Sequence, residues 1–192
     1  MKNSITILCS LFLVICFELP NQAYSQYTSA QSGDFETGST WASGNAPTLA
    51  NGFKLNDNVT ISTGHDVTLA GPLTIKSGVN LIVEGNLTIS GLVDFQNGSI
   101  ILITATGTLT MEAGENSNNS TDVTIEGFLV CSGDFYSGNG SNVTGTGSVF
   151  IYGSSSGNGS LFGNSVGCTA CSFTNLGGEN IPTYQIGGTD TW

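Results

Sequence analysis

The residues able to do chemistry are few. The only histidine, His65, lies between Gly64 and Asp66, with Asp57 shortly upstream. An imidazole beside a carboxylate is the start of a general base or a metal site. A catalytic histidine also needs an orienting partner and a nucleophile or water to act on. No serine sits in a nucleophile-elbow setting, so His65 reads as a corner residue whose ring bonds a backbone carbonyl of the adjoining repeat. Glu84, Asp94 and Glu126 are the carboxylates that stacked repeats could bring together for glycoside hydrolysis, which needs a pair about 5–10 Å apart. No paired Asp-Asp motif marks such a site. A polysaccharide lyase would need a basic proton acceptor, and Lys54 and Lys76 are the only bases after residue 25. Glu115, Asn116, Asn118, Asn119 and Asp122 offer oxygen ligands for calcium. They lack EF-hand spacing and the Gly-Gly-x-Gly-x-Asp nonapeptide, and they read as a solvated loop. No catalytic residue, metal or cofactor is expected.

Cysteines come next. Cys168-Thr169-Ala170-Cys171 is a CxxC, and Cys131 stands apart. A redox CxxC opens a helix in a βαβ setting, which is missing, and zinc would need two further ligands. A local disulfide between Cys168 and Cys171, or two free thiols, is the expectation. Aromatic side chains make better contact residues: Trp41, Tyr136 and Tyr152, with Phe35, Phe135, Phe150 and Trp192 as further members of a shallow sugar- or protein-binding surface. Alternation points Tyr136 and Tyr152 outward. Trp41 also suits packing of an N-terminal cap onto the first repeat.

These residues must be positioned by what lies between the glycines. Asn58-Val59-Thr60-Ile61-Ser62-Thr63-Gly64 is followed by His65-Asp66-Val67-Thr68-Leu69-Ala70-Gly71 and by Pro72-Leu73-Thr74-Ile75-Lys76-Ser77-Gly78. Similar units run on through Gly85, Gly91 and Gly98, and the pattern resumes at Leu109-Thr110-Met111 and Val123-Thr124-Ile125. Each core is apolar-x-apolar, often with Thr at x. Period-two alternation means short strands with one buried face, and Thr suits the outward side. The closing Gly supplies a turn. No period of 3.6 follows residue 25.

Strands this short bury a core only by coiling so that each repeat covers its neighbour. The predicted fold is all-β: a single-stranded, right-handed parallel β-helix of three units per coil. Its coils are expected over 57–78, 79–98, 99–120, 121–141 and 142–162. Val59, Leu81 and Leu102 are expected to share one inward column, and Val67, Leu87 and Leu109 the next. The stretch Glu115 to Ser120 is expected to bulge out as an insertion. An antiparallel sandwich would want longer strands and more regular hairpin turns. Thr68, Thr88 and Thr110 should stack outward, but an ice-binding face wants two Thr per strand, and the second is missing. Residues 26–56 lack the repeat and read as an N-terminal cap over the first coil; residues 163–192 read as irregular.

Residues 1–25 carry Lys2, an apolar run from Ile5 to Phe17 and a small-x-small end at Ala23-Tyr24-Ser25. This is the pattern of a secretory signal peptide, too short to span a bilayer. Leu13-Val14-Ile15-Cys16 fails as a lipobox because Ile15 is bulky. Secretion or cell-surface display is expected, with no membrane-spanning segment. The net charge is −11, arginine is absent, and charged residues are 9% of the 192-residue chain. Nothing here could neutralise phosphates, which excludes nucleic acid as a partner. Glycans or surface proteins remain, with end-to-end self-association of the solenoid as a further route.

One stretch carries a resemblance. Gly33-Asp34-Phe35, Thr40-Trp41, Gly44-Asn45-Ala46-Pro47 and the run from Asp57 through Gly64-His65 to Leu69 resemble the start of glycine-rich β-helix modules in secreted and surface proteins of Bacteroidetes, related to G8-like domains. The first aromatic of that pattern is often Trp; here it is Phe35. The resemblance implies a right-handed β-helix on or outside the cell, in adhesion or carbohydrate-related proteins, with no defined catalytic residues. Residues 163–192 are too few for the C-terminal sorting domain that many such proteins carry. The reading is a non-catalytic module for adhesion, surface structure or glycan contact. The alternatives are a polysaccharide-active enzyme or its accessory domain, and a self-assembling structural protein.

Overall fold

The computed structural model describes residues 26–50, 53–117, 120–153, 155–157 and 172–175. The expected signal peptide and the Cys168–Cys171 pair lie outside the described residues. The chain is a parallel β-solenoid of about five coils, with no α-helix among the described residues. Four short strands come first: β1 (Gln26–Thr28), β2 (Gly33–Asp34), β3 (Leu49–Ala50) and β4 (Lys54–Leu55). The first coil then holds β5 (Asn58–Ile61), β6 (Asp66–Leu69) and β7 (Leu73–Ile75), and the second β8 (Asn80–Val83), β9 (Asn86–Ile89) and β10 (Val93–Phe95). The third holds β11 (Ile100–Ile103), β12 (Thr108–Met111) and β13 (Glu115–Ser117), and the fourth β14 (Asp122–Ile125), β15 (Phe128–Cys131) and β16 (Phe135–Ser137). The fifth holds β17 (Asn142–Gly145), β18 (Ser148–Ile151) and β19 (Ser155–Gly157); β20 (Ser172–Asn175) pairs with β18.

Each coil thus contributes one strand to each of three parallel sheets. The glycine spacing of seven averages two step lengths. From the second sheet to the third the inward residue advances six positions, as from Val67 to Leu73 (73 − 67) and from Leu87 to Val93 (93 − 87). From the third sheet back to the first it advances eight, as from Leu73 to Leu81 (81 − 73) and from Val93 to Ile101 (101 − 93). The longer corner needs a left-handed residue. Gly78, Gly98 and Gly140 take φ of 77°, 76° and 74° there, and Ser120 takes the equivalent place at 59°. Other corner glycines are needed for close approach: a Cβ at Gly107 would overlap the Val83 carbonyl oxygen of the coil before it.

Inside, apolar side chains stack coil on coil. One column runs Val59, Leu81, Ile101, Val123, Val143, and another Val67, Leu87, Leu109, Leu129, Val149. All are buried, and full burial of each such side chain contributes about 1.5–3 kcal/mol. The second column is as expected. The first is corrected at one place: Ile101 faces inward, and Leu102 pairs with Ile82 on the outer side. Four successive apolar residues, Ile100 to Ile103, contain no alternation to read, and a one-residue slip exchanges the faces.

Two further expectations change. The stretch beginning at Glu115 does not bulge out: Glu115–Ser117 is β13, paired with β10 on one side and β16 on the other, and both Glu115 and Ser117 are buried. Residues 26–56 do more than sit on the end. β1, β2 and β4 extend the three sheets by one parallel rung, and β3 turns antiparallel onto β4. Phe35 and Trp41 plug the interior at this end, their rings 5.0 Å apart edge to face, and the Trp41 indole N–H donates to the Phe35 carbonyl at 2.8 Å. Short strands and an antiparallel turn are the usual means of blunting a sheet edge. Within 163–192, expected to be irregular, Ser172–Asn175 forms a strand.

Candidate ligand-contact face

Stacking fixes what each outer face presents. On the second sheet one outward column runs Asp66, Asn86, Thr108, Phe128, Ser148, and its neighbour Thr68, Thr88, Thr110, Val130, Phe150. The early coils of this face are hydroxyl and amide, with Asn86 Nδ2 donating to Asp66 Oδ1 at 2.6 Å. The later coils are aromatic. Phe128 is 47% exposed, and its ring stacks on that of Phe150 with centroids 6.3 Å apart and planes 18° from parallel. Two residues beyond Phe150, Tyr152 continues the line at the coil corner and is 47% exposed. Phe128, Phe150 and Tyr152 therefore form one diagonal aromatic strip across coils four and five.

Of the candidate contact residues, Tyr136 and Tyr152 face solvent. Tyr136 stands on the third sheet, round the corner from the strip, in an outward column below Asp94 and Asn116. Trp41 takes the cap-packing place: at 2% exposure it packs among Phe35 and Tyr27, away from the outer faces. Phe35 and Phe135 are likewise core residues. The alternation that names Tyr152 also marks Phe128, in the exposed place before Leu129, which the aromatic reading passed over.

His65 is a clasp between the first coil and the strand before it. Ser29 Oγ accepts the Ser62 amide proton at 2.8 Å and is hydrogen-bonded to His65 Nδ1, 2.8 Å away, the tautomer of the ring setting which of the two donates. The Ser62 hydroxyl donates to the Ser29 carbonyl at 2.9 Å. The partner is thus a side chain rather than the expected backbone carbonyl. Ser29 is 3% exposed, which denies its oxygen to a substrate. Asp66 is engaged elsewhere, by Asn86 and, at its amide, by Ser32 Oγ at 2.8 Å. Nothing in the local sequence announces Ser29, which lies 36 positions away.

The carboxylates disperse. Glu84 and Glu126 share the corner between the first and second sheets but sit two coils apart, with Thr104 to Gly107 between them. Two strand spacings separate their backbones by about 9–10 Å. Asp94 is on the third sheet, apart from both. Among the described residues no three His, Cys, Asp or Glu side chains group as a metal site. Glu115, expected in a solvated loop, is instead enclosed. Burial pushes its carboxyl well above the usual carboxylate range, Asp94 adds to this, and hydrogen bonds from Ser117 and the Tyr136 amide offset it in part. Burial, with the neighbouring Glu115 and Asp134 carboxyls adding to it, pushes the Cys131 thiol up to about 12 against the opposing Gly133 contact. Its S–H donates to the Gly133 carbonyl at 3.3 Å.

In comparisons with known proteins, no family model, no curated protein and no solved structure matches this chain. No helix of the described residues is long and apolar enough to cross a membrane.

Proposed function

We propose that this chain is a non-catalytic, secreted or cell-surface β-helix module that works by contact: adhesion, surface structure or glycan binding. The aromatic strip Phe128, Phe150 and Tyr152 carries this reading. Flat, near-parallel rings, that of Phe128 exposed and that of Phe150 half-buried, suit the apolar face of a sugar ring. The net charge of −11 disfavours acidic polymers, so a neutral glycan is the fitting ligand. Size supports a thin ligand over a protein. The seven strands of this sheet, four residues long at most, span about 13 by 29 Å, some 380 Å², against the ~800 Å² per partner of a stable protein interface. The resemblance to surface β-helix modules points the same way.

The test is retention on insoluble neutral polysaccharides. Replacing Phe128 and Phe150 together by Ala should weaken retention about tenfold or more, each stacked ring being worth about 1 kcal/mol. Replacing Thr68 and Thr88 on the early coils should not. Equal loss from both pairs, or none from the first, would reject the strip.

A second reading rests on Glu84 and Glu126, whose backbone spacing is close to the carboxyl separation of inverting glycoside hydrolases, about 6.5–9.5 Å. Glycan turnover abolished by Glu84→Gln and by Glu126→Gln would establish it over the first. For end-to-end self-association, mass measured by light scattering should rise with concentration, and a constant monomer mass would dismiss it.

A further inference from the structure

Glu115 is the anomaly of the interior. Its column on the third sheet runs Leu73, Val93, Glu115, Phe135, so a carboxyl occupies a place that its neighbours fill with hydrocarbon. It is 2% exposed. The Ser117 hydroxyl donates to Oε1, while Oε2 is buried with no hydrogen-bond partner among the described residues. The groups that face it offer no positive charge. Asp94 lies on β10, the amide of Tyr136 on β16, and the Cys131 thiol on β15 with Asp134 beyond it. An ionised carboxylate here would be desolvated, unpaired and beside another acid, which is strongly unfavourable.

We propose that the rung Glu115–Ser117 is a pH-gated opening point: the carboxyl is enclosed as the neutral acid, and losing that proton releases β13 from β10 and β16. Ionisation has no outlet in the closed coil, so the charge is accommodated by letting water reach Oε2. The location gives the opening a consequence. It divides the early coils from coils four and five, which carry the aromatic strip. The sign follows from linkage. The closed state binds the proton more tightly than the open state, whose carboxyl titrates near the ordinary value of about 4.3. Below that value opening is independent of pH. Above it, opening releases one proton, and the opening constant rises tenfold per pH unit until the closed-state carboxyl itself ionises.

Amide hydrogen exchange on the whole protein, corrected for intrinsic chemical rates, reads this directly. Above about pH 5 the opening constant of residues 115–117 should rise with pH, by up to about tenfold per unit. That of Asn80–Val83, one coil away on another sheet, should stay level. Glu115→Gln keeps an acceptor for Ser117 and should abolish the rise; Glu115→Leu, which restores the apolar column, should do the same. A flat wild-type profile, or a rise that persists in either variant, would overturn the proposal.

Discussion

The register of β11 decides which half of an apolar run forms the core, and paired substitutions read it out. Ile101 is fully buried between Leu81 and Val123, whereas Leu102 lies on the outer side between Ile82 and Thr124. Ile101→Ala removes three buried carbons, about 2.4 kcal/mol at ~0.8 kcal/mol each, and leaves a void that stacked neighbours cannot fill. The total should be about 3–4 kcal/mol. At about 2–4 °C per kcal/mol, the midpoint of thermal unfolding should fall by roughly 6–16 °C. Leu102→Ala trims a half-exposed side chain and should cost at most about 1 kcal/mol. Repeat proteins need not unfold as one unit, so the two variants should be compared by far-UV circular dichroism under identical urea and thermal ramps. Equal losses, or a larger loss at 102, would mean that the strand is shifted by one residue and that the inward column described for the first sheet is wrong.

Other outcomes follow from the corners, the clasp and the thiol. Ser120→Gly should stabilise the protein by about 1 kcal/mol, because Ser120 holds the φ of 59° that Gly98 and Gly140 hold in neighbouring coils at 76° and 74°; a destabilised variant in urea titration would contradict the corner geometry. Gly107→Ala should cost more than about 2 kcal/mol by driving a methyl into the Val83 carbonyl, so near-wild-type stability would rule out the stated coil spacing. Ser29→Ala strands the Ser62 amide and His65 Nδ1, and should cost about 1–3 kcal/mol, with lost exchange protection confined to the first coil and the strands before it. Cys131, with its thiol pushed up to about 12, should resist alkylation at mildly alkaline pH until urea unfolds the chain; rapid labelling of the native protein at this residue would refute its burial.

Much of the architecture was legible along the chain. Gly64, Gly71 and Gly78 mark three successive corners, and Val-Thr-Leu or Leu-Thr-Ile between them encodes a strand with one wet face. Those signals are local: alternation and turn chemistry act over a few residues, and together they required coiling because no single unit buries its own apolar side. The exposed places of Tyr136 and Tyr152 came from the same alternation. Where alternation fails, sequence reading failed with it. Ile100 to Ile103 has no polar member to name the outer face. Glu-Asn-Ser at 115–117 has the composition of a loop, yet it is held as a strand because β10 and β16 on either side supply the ladder that its own residues do not favour.

The period and the strand type were written in the chain itself, because each depends only on neighbouring side chains. Which residues meet across coils was settled by the folded assembly. The Ser29–His65 clasp, the Phe128–Phe150 stack and the enclosure of Glu115 join positions 20 or more residues apart in sequence or buried by such neighbours. Whether a coil takes 20 or 22 residues, as between Leu81 and Ile101 or between Val59 and Leu81, sets those meetings. That choice is made by corner lengths summed around the whole turn, a quantity no local pattern contains.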